Sequence, residues 1–355
     1  MSVMFIILAI IIFGLLITVH EIGHFLAAKV SGVRVSEFAV GMGPAVLKKQ
    51  GKETVYSLRI LPIGGFCAME GQDEESADPR AFCNRPLIFK LFILIAGSAM
   101  NYLFGLLIII IIFSQAVSFS SPTIAGFMDG FPNEGEHGLA VGDTIYKING
   151  SRIYFTDNVG RYLSRGNGKT ADIVIIRNGK KTALDDFPME LREYNYNGVA
   201  VVKYGLLLGE ERNSLFTTLK YSWYCSLDFV RMVWIGLSEL ISGAVGFREL
   251  SGPVGIVSVI SEVGRESPNV TVALDNIAYL SAFIAVNLAV MNLLPVPALD
   301  GGRLLLLVVT RTVELAIRKK INPKYEGYIH TAGFILLLGL MLFVMINDIR
   351  RITGG

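Results

Sequence analysis

Four long runs of apolar residues stand out from the rest of the chain. They cover approximately residues 2–28, 91–117, 276–299 and 329–347. A helix needs roughly 20 consecutive apolar residues to cross the hydrocarbon core of a bilayer, and each run meets or approaches that length. The hydropathy pattern therefore predicts four transmembrane helices.

A fifth segment, 215–245, is apolar on balance but is interrupted by charged residues. These are Lys220, Asp228, Arg231 and Glu239. Such an interrupted pattern is typical of an amphipathic helix that lies on the membrane surface. We interpret 215–245 as a surface helix because of these charges, and a fifth span at this place would also invert the third transmembrane helix.

Two regions have strand-like patterns. Apolar and polar residues alternate in places between 33 and 69, with glycines at the turns, which favours short strands over a helix. Between 118 and 213, two strand-like stretches end in Asn149-Gly150 and Asn178-Gly179, the dipeptides that most strongly indicate a β-hairpin. This second region is predicted to form one compact β-rich domain.

The composition agrees with an integral membrane protein. Of the 355 residues, 52% are hydrophobic and 17% are charged, and the mean hydropathy is +0.53. The net charge of +2 and the lack of a dense Lys/Arg run argue against a nucleic-acid partner. Cys67, Cys83 and Cys225 show no metal-binding or disulfide spacing and are interpreted as packing residues. The first apolar run lacks a basic start and a cleavage site, so a retained anchor is expected.

Basic residues near the spans predict the orientation of the chain. Lys and Arg cluster in the connection after the first span and in the connection after the third. The positive-inside rule places both connections in the cytoplasm. Both termini, and the polar region 118–213, should then lie outside the cytoplasm.

The first apolar run contains His20-Glu21-Ile22-Gly23-His24, an HExxH motif. Residues four apart lie on nearly the same side of a helix, so both histidines can bind one metal ion while Glu21 accepts a proton from water. Many HExxH sequences are ordinary surface helices. Ionisable residues at membrane depth are costly, however, and they usually mark a functional site.

A catalytic zinc usually has three protein ligands and one open position. The predicted topology places the two histidines toward the cytoplasmic side, which disfavours Asp275 and Asp348 at the outer ends of their spans. Asp300 ends the third span on the cytoplasmic side, and the two glycines after it permit close backbone approach. Asp300 is the preferred third ligand, and His330 at the start of the fourth span is the alternative.

The HExxH motif and a second motif together resemble the signature of the site-2 protease family of intramembrane zinc metalloproteases. The second motif is Asn292-Leu293-Leu294-Pro295-Val296-Pro297-Ala298-Leu299-Asp300-Gly301-Gly302. The bacterial regulator-of-sigma-E branch is the most similar. Other positions that resemble the family are Gly41-Met42-Gly43-Pro44, Leu61-Pro62-Ile63-Gly64-Gly65-Phe66, Phe82, Arg85, Pro86, Gly97 and Asn101. Ser98 stands where the family usually has proline, and the resemblance extends over essentially the whole chain.

This resemblance implies that His20, His24 and Asp300 bind Zn²⁺ and that Glu21 is the general base and proton shuttle. Asn292 precedes Asp300 by two helical turns, so it is expected to share a face of the third span with Asp300. Its amide would hold the substrate backbone or stabilise an oxyanion. A hydrogen bond between membrane helices is the alternative role.

The resemblance also implies that 33–69 dips into the membrane beside the active site as a re-entrant β segment. Gly64, Gly65 and Phe66 would then lie on an edge to which an unwound substrate adds as a strand. An ordinary cytoplasmic hairpin is the alternative.

The pattern from Gly142-Asp143 to Asn149-Gly150 resembles a PDZ domain. The expected fold is therefore a polytopic α-helical membrane protein with four transmembrane helices, a membrane re-entrant β segment and one extracytoplasmic β-rich PDZ domain. The expected divisions are 1–117 for the first two spans, 118–205 for the PDZ-like domain, 206–272 for the membrane-surface helical region and 273–355 for the last two spans.

Two classes of function fit the sequence. The first is an intramembrane zinc endopeptidase of a bacterial cell membrane that cuts single-pass proteins, such as anti-sigma factors or signal-peptide remnants, near the cytoplasmic face. The second is a non-proteolytic scaffold with a structural metal, whose PDZ-like domain binds a peptide or protein. A metal transporter is a weaker third class. Glu21 distinguishes the enzyme from both alternatives, because neither a transporter nor a structural metal site needs a carboxylate next to a ligand.

Overall fold

The computed structural model describes residues 3–72, 74–196, 198–246, 249–319 and 324–353. The helices are α1 (Val3–Val30), α2 (Leu87–Phe113), α3 (Thr156–Ser164), α4 (Leu215–Ile241), α5 (Pro253–Glu266), α6 (Val270–Asn292), α7 (Asp300–Ile317) and α8 (Lys324–Thr353). The strands are β1 (Val35–Gln50), β2 (Val55–Met69), β3 (Ser118–Phe127), β4 (Thr144–Ile148), β5 (Ser151–Arg152), β6 (Thr170–Arg177), β7 (Lys180–Pro188), β8 (Arg192–Tyr196), β9 (Val199–Lys203) and β10 (Leu206–Arg212). The chain divides into two compact units, 1–109 with 229–355, and 110–228.

Four helices of the described residues are long and apolar enough to cross a membrane, which confirms the number of predicted spans. They are Met4–Val30, Leu87–Phe113, Val270–Asn292 and Gly327–Arg351. The helix α4 does not meet the same criterion, because its apolar residues are interrupted by charge. Its interpretation as a membrane-surface helix stays a prediction.

The predicted end of the third span is wrong. The helix α6 ends at Asn292 rather than at residue 299, and Asp300 is the first residue of a separate helix, α7. Pro295 and Pro297 lie between the two helices, and proline can neither donate the backbone hydrogen bond nor fit inside a continuous helix. Asn292 and Asp300 therefore do not share a helix face, and a turn separates them.

The spans of the first unit pack through two apolar clusters. One joins α1, α5 and α6 and includes Ala9, Leu16, Ile260, Ile277 and Ile284. The other joins the end of α1, the start of α2 and both β1 and β2, and includes Ala28, Val35, Cys67 and Ile93. The first cluster packs α1 against α5 and α6, and the second packs α1 and α2 against the two strands.

The strands β1 and β2 are longer than the short strands that the sequence predicts. Residues 37–40 of β1 pair with 65–68 and also with 55–58 of β2, while 45–50 pair with 55–59. Both strands therefore bend, and they form four antiparallel segments in the order 65–69, 35–40, 55–59 and 45–50. We call residues 65–69 the edge segment, because within the described chain it pairs on one side only.

Polar contacts fix the base of this sheet to α1. Lys29, in the last turn of α1, donates hydrogen bonds to Glu53 and to the hydroxyl of Thr54, and Thr54 donates to the carbonyl of Val35. Arg80 forms an ion pair of 2.9 Å with Glu53. Hydrogen bonds from Lys29 and then Arg80 hold the pKa of Glu53 below its usual range.

The second unit is the predicted β-rich region. Its largest sheet has the strand order β10-β3-β4-β6-β7, with β5 paired to β4. Asn149 and Gly150 have φ angles of 48° and 77°, and Asn178 and Gly179 have 50° and 76°. Positive φ at both central residues is the type I′ geometry, which confirms both predicted hairpins. The strand β10 also extends the sheet beyond residue 205, where the sequence places the end of this domain.

The first half of α4 belongs to this β-rich unit. Asp228 is buried and accepts a hydrogen bond of 3.1 Å from the amide of Asn158 on α3. Glu211 on β10 accepts hydrogen bonds from Lys220 and Tyr221 of α4. These contacts hold α4 to the helix α3 at one place and to the strand β10 at another.

Asp348 acts as an N-terminal cap for another helix. It is fully buried on α8, and its Oδ2 accepts hydrogen bonds of 2.9 and 2.8 Å from the backbone N–H groups of Gly252 and Gly255 at the start of α5. The N-terminus of a helix leaves such N–H groups without partners and favours a nearby negative charge. This role agrees with the prediction that Asp348 is disfavoured as a metal ligand.

We expect Asp348→Ala to destabilise the first unit. It leaves two buried N–H groups unpaired, and losing hydrogen bonds to a charged acceptor costs about 2–4 kcal/mol in the free energy of unfolding. Thermal unfolding of the detergent-solubilised protein measures the loss, with Asp275→Ala on α6 as the control. Equal melting temperatures for the two variants would contradict the capping role.

Candidate metal centre

Three ligand atoms converge where α1 meets the start of α7. The Nε2 atoms of His20 and His24 are 3.1 Å apart, and Asp300 Oδ2 lies 3.1 Å from the first and 3.2 Å from the second. In the described part of the chain these three residues form the one group of His, Cys, Asp or Glu side chains close enough to share a metal ion. Both imidazoles are buried. The structure thus brings together the three residues that the sequence proposes.

A backbone carbonyl orients one of these imidazoles. His24 Nδ1 lies 2.8 Å from the carbonyl oxygen of Ile93 on α2. Because a carbonyl can only accept, Nδ1 carries the proton and the lone pair of Nε2 points toward Asp300 and His20. Metal-binding histidines commonly have such a partner, which fixes the tautomer and the ring orientation.

Two glycines allow α1 and α2 to approach each other at this depth. A Cβ atom built at Gly97 would clash with the His24 ring and lie 2.7 Å from Cε1 of His20. A Cβ atom built at Gly23 would lie 2.9 Å from the Cα atom of Gly97. Any side chain at Gly97 therefore occupies the space that the two imidazoles need.

We expect Gly97→Ala to weaken metal binding. Overpacking a tight contact costs about 1–3 kcal/mol, which corresponds to roughly 5- to 150-fold in affinity if the whole cost falls on the metal-bound state. Competition with a chelator measures the zinc affinity. Gly339→Ala is a matched control, since Gly339 lies in the transmembrane helix α8 with open space around it. Equal affinities of the two variants would show that the close approach is not needed.

The turn before Asp300 packs tightly on the first turn of α7. A Cβ atom at Gly301 would overlap the backbone of Leu293 and Leu294, and one at Gly302 would overlap Val296 and lie 2.9 Å from the nitrogen of Pro297. The two glycines therefore permit the close backbone approach that the sequence predicts. His330, the alternative ligand, is not part of the metal-binding group. Its Nδ1 instead accepts a hydrogen bond from the backbone N–H of Ala298.

Asn292 reaches the site, although it does not share a helix face with Asp300 as predicted. Its Nδ2 lies 3.5 Å from Nδ1 of His20. Asn292 therefore contacts the Nδ1 side of the imidazole, whereas Asp300 faces Nε2. If the amide presented its oxygen instead, it would accept the Nδ1 proton of His20 and leave Nε2 free for a metal.

Glu21 lies between the metal-binding group and the edge segment. The backbone N–H of Cys67 is hydrogen-bonded to the Glu21 carboxylate. A Cβ atom at Gly65 would lie 3.5 Å from Cγ of Glu21. Gly64 is packed against Met42 instead, and the Phe66 ring lies 4.8 Å from the guanidinium of Arg59. Of the three predicted edge residues, Gly65 therefore lies nearest the base.

The donor set fits zinc. Two imidazole nitrogens and one carboxylate oxygen are a common set of three protein ligands for catalytic Zn²⁺, and a fourth position is then left for water or substrate. Sequence reasoning missed the Ile93 carbonyl, because a backbone acceptor carries no residue-specific signal. It noted Gly97 only as a position that resembles the family, and the structure gives the steric reason.

Known proteins are similar to this chain over almost its whole length. The sequence matches the family model described as Peptidase family M50 over residues 8–340. A Clostridium perfringens protein that is named as a zinc metalloprotease is 35% identical over 347 residues, covering 98% of each chain. A Clostridium acetobutylicum protein of the same description is 33% identical over 349 residues, again covering 98% of each chain. The Bacillus subtilis regulator of sigma-W protease RasP is 27% identical over 426 residues, covering 97% of each chain.

Proposed function

The chain belongs to peptidase family M50, the site-2 protease family of zinc metalloproteases, and we propose that it cuts transmembrane helices inside the bilayer near the cytoplasmic face. The observation that carries this proposal is the position of the metal-binding group. His20, Glu21 and His24 lie in α1, which is apolar and long enough to span a membrane. A substrate bond must reach that depth, so the substrate should itself be a membrane segment.

We assign the metal to His20, His24 and Asp300, and the proton transfers to Glu21. Zinc held by these three residues would lower the pKa of water to about 7 and polarise the scissile carbonyl. The Glu21 carboxylate accepts the proton of the attacking water and returns it to the leaving amine. The N–H of Cys67 holds this carboxylate in place, while Ile93 and Asn292 orient the two imidazoles.

Substrate recognition is proposed to occur at the edge segment. The peptide bonds of a transmembrane helix are paired internally, so a substrate must unwind before water can attack. Adding the unwound stretch as a strand to residues 65–69 would replace the lost backbone hydrogen bonds. The nearness of Gly65 to Glu21 supports this arrangement, since a strand there would lie beside the base. In this arrangement Gly64, Gly65 and Phe66 line the edge, and β1 with β2 forms the re-entrant segment.

The β-rich unit is proposed to be an extracytoplasmic PDZ domain that binds a peptide or protein. Its antiparallel sheet has two type I′ hairpins and one helix, α3, between β5 and β6. The basic connections after the first and third spans support cytoplasmic placement of both, with the termini and this domain on the outer side of a bacterial cell membrane.

The proposed substrates are single-pass membrane proteins, either anti-sigma factors or signal-peptide remnants. The name of the Bacillus subtilis relative supports the first kind, because it describes a regulator of a sigma factor. In this proposal, substrates of both kinds reach the protease after their outer portion has been removed. A PDZ domain could bind the newly exposed end of such a substrate.

Cleavage of a defined probe tests the proposal. The probe is a fluorescent fusion protein with one transmembrane helix that carries helix-destabilising residues near its cytoplasmic end. We expect the purified, zinc-loaded protein to cut inside the apolar segment, as located by mass spectrometry, and a chelator to stop cleavage until zinc is returned. Failure to cut any such probe, or cuts only in the soluble parts, would favour the scaffold function.

A further inference from the structure

The backbone before Asp300 adopts a conformation that its own sequence disfavours. Ala298 has a φ of 77°, in the left-handed region that non-glycine residues rarely occupy. Strained residues of this kind persist only where the surrounding structure holds them in place. Ala298 lies two positions before Asp300, so its backbone angles set where the Asp300 carboxylate points.

One side chain of α8 holds this residue. The backbone N–H of Ala298 donates a hydrogen bond of 3.2 Å to Nδ1 of His330. Pro295 and Pro297, which precede Ala298 in the turn, have no N–H of their own. The N–H groups of Val296 and Leu299 donate to the carbonyls of Leu294 and Val296, and neither of these bonds involves Ala298. Ala298 is half-buried, so its N–H requires an acceptor, and His330 on the transmembrane helix α8 supplies it.

A second contact of α8 fixes the same turn. Gly333 lies three residues after His330, on the same side of the helix. A Cβ atom there would overlap the side chain of Pro297 and lie 2.8 Å from its carbonyl carbon and oxygen. Two positions on one side of α8 therefore contact this turn. His330 is hydrogen-bonded to Ala298, and Gly333 packs closely against Pro297.

We propose that His330 is a positioning residue of the metal centre. Through Ala298 it holds the strained turn that places Asp300 Oδ2 within 3.1–3.2 Å of the two imidazoles. His330 does not bind the metal, and its role is to keep the third ligand in place. The proposal rests on the assignment of Asp300 as that ligand.

The test compares the full-length protein with four variants in detergent. His330→Leu removes the acceptor, whereas His330→Asn keeps an acceptor atom at nearly the same distance from the backbone. Gly333→Ala disturbs the second contact without touching His330. Thr331→Val is the control, because Thr331 is exposed on the same helix and its hydroxyl donates a hydrogen bond within that helix, to the carbonyl of Gly327. The readouts are zinc affinity by chelator competition, the visible spectrum of the cobalt-substituted protein, and kcat and KM for the transmembrane probe.

We expect His330→Leu and Gly333→Ala to weaken zinc binding by about 10- to 100-fold, the range usual for residues that support metal ligands. The cobalt spectrum should change and kcat should fall while KM stays nearly constant. His330→Asn should recover most of the zinc affinity, and Thr331→Val should match the wild type. If His330→Leu does not fold, Gly333→Ala and His330→Asn still decide the matter.

Wild-type zinc affinity and cobalt spectrum in His330→Leu or Gly333→Ala would overturn the proposal, as would equal losses in His330→Leu and His330→Asn. Asp300→Asn separates this failure from that of the proposed site. If Asp300→Asn keeps full zinc affinity, the ligand assignment itself is wrong. If Asp300→Asn loses zinc but the α8 variants do not, only the role of His330 is wrong.

Discussion

Glu21→Gln is expected to abolish cleavage of a transmembrane probe while leaving zinc bound. The amide has the size of the carboxylate but cannot accept a proton, and general acid–base groups contribute roughly 10²- to 10⁴-fold to the rate. Glu21 is not one of the three converging ligands, so the metal should stay in place. The measurements are the turnover of the probe and the zinc content of the same purified sample.

Glu74→Gln is the matched control, because Glu74 is exposed in the loop after β2. This control should retain wild-type turnover. Equal turnover of Glu21→Gln and wild type would refute the role of Glu21 and favour a scaffold with a structural metal. Loss of zinc from Glu21→Gln would instead show that the carboxylate supports the metal, and the loss of activity would then say nothing about proton transfer.

The sequence predicts the parts of the fold that depend on local patterns. The four apolar spans and the two Asn-Gly hairpins are visible because hydropathy and turn residues act over short distances. The bent register of β1 and β2 is not visible, since residues 37–40 pair with two different stretches of β2. Such pairing depends on where the edge segment packs against α1, which no local pattern encodes.

The site shows the same division between local and long-range information. His20 and His24 follow from helical spacing alone, whereas the prediction of Asp300 depends on a topology in which it ends the third span. The structure gives Asp300 a different origin, at the start of α7 after a proline-containing turn, yet the same final position. The prediction of Asp300 depends only on the side of the membrane on which this residue lies, and the distribution of basic residues is enough to predict that side. The contacts of Ala298 and Gly333 with other elements, in contrast, require the packed structure.

Asp300→Asn is expected to remove zinc and activity together, in contrast to Glu21→Gln. Asparagine keeps an oxygen at the same distance but not the negative charge that balances the metal. The loss in zinc affinity should be at least about 100-fold, because it should exceed the 10- to 100-fold that residues behind the ligands usually contribute. Asp275→Asn on α6 is the control, since Asp275 lies outside the metal-binding group.

Titrating zinc back into Asp300→Asn distinguishes a ligand from a catalytic group. If Asp300 acts mainly by binding, high zinc should refill the site and recover part of the cleavage rate. Glu21→Gln has the metal already and should gain nothing from added zinc. Wild-type zinc affinity in Asp300→Asn would remove Asp300 from the metal centre, and the third ligand would then have to come from outside the converging group. The opposite responses of the two variants to zinc would assign one carboxylate to the metal and the other to the proton.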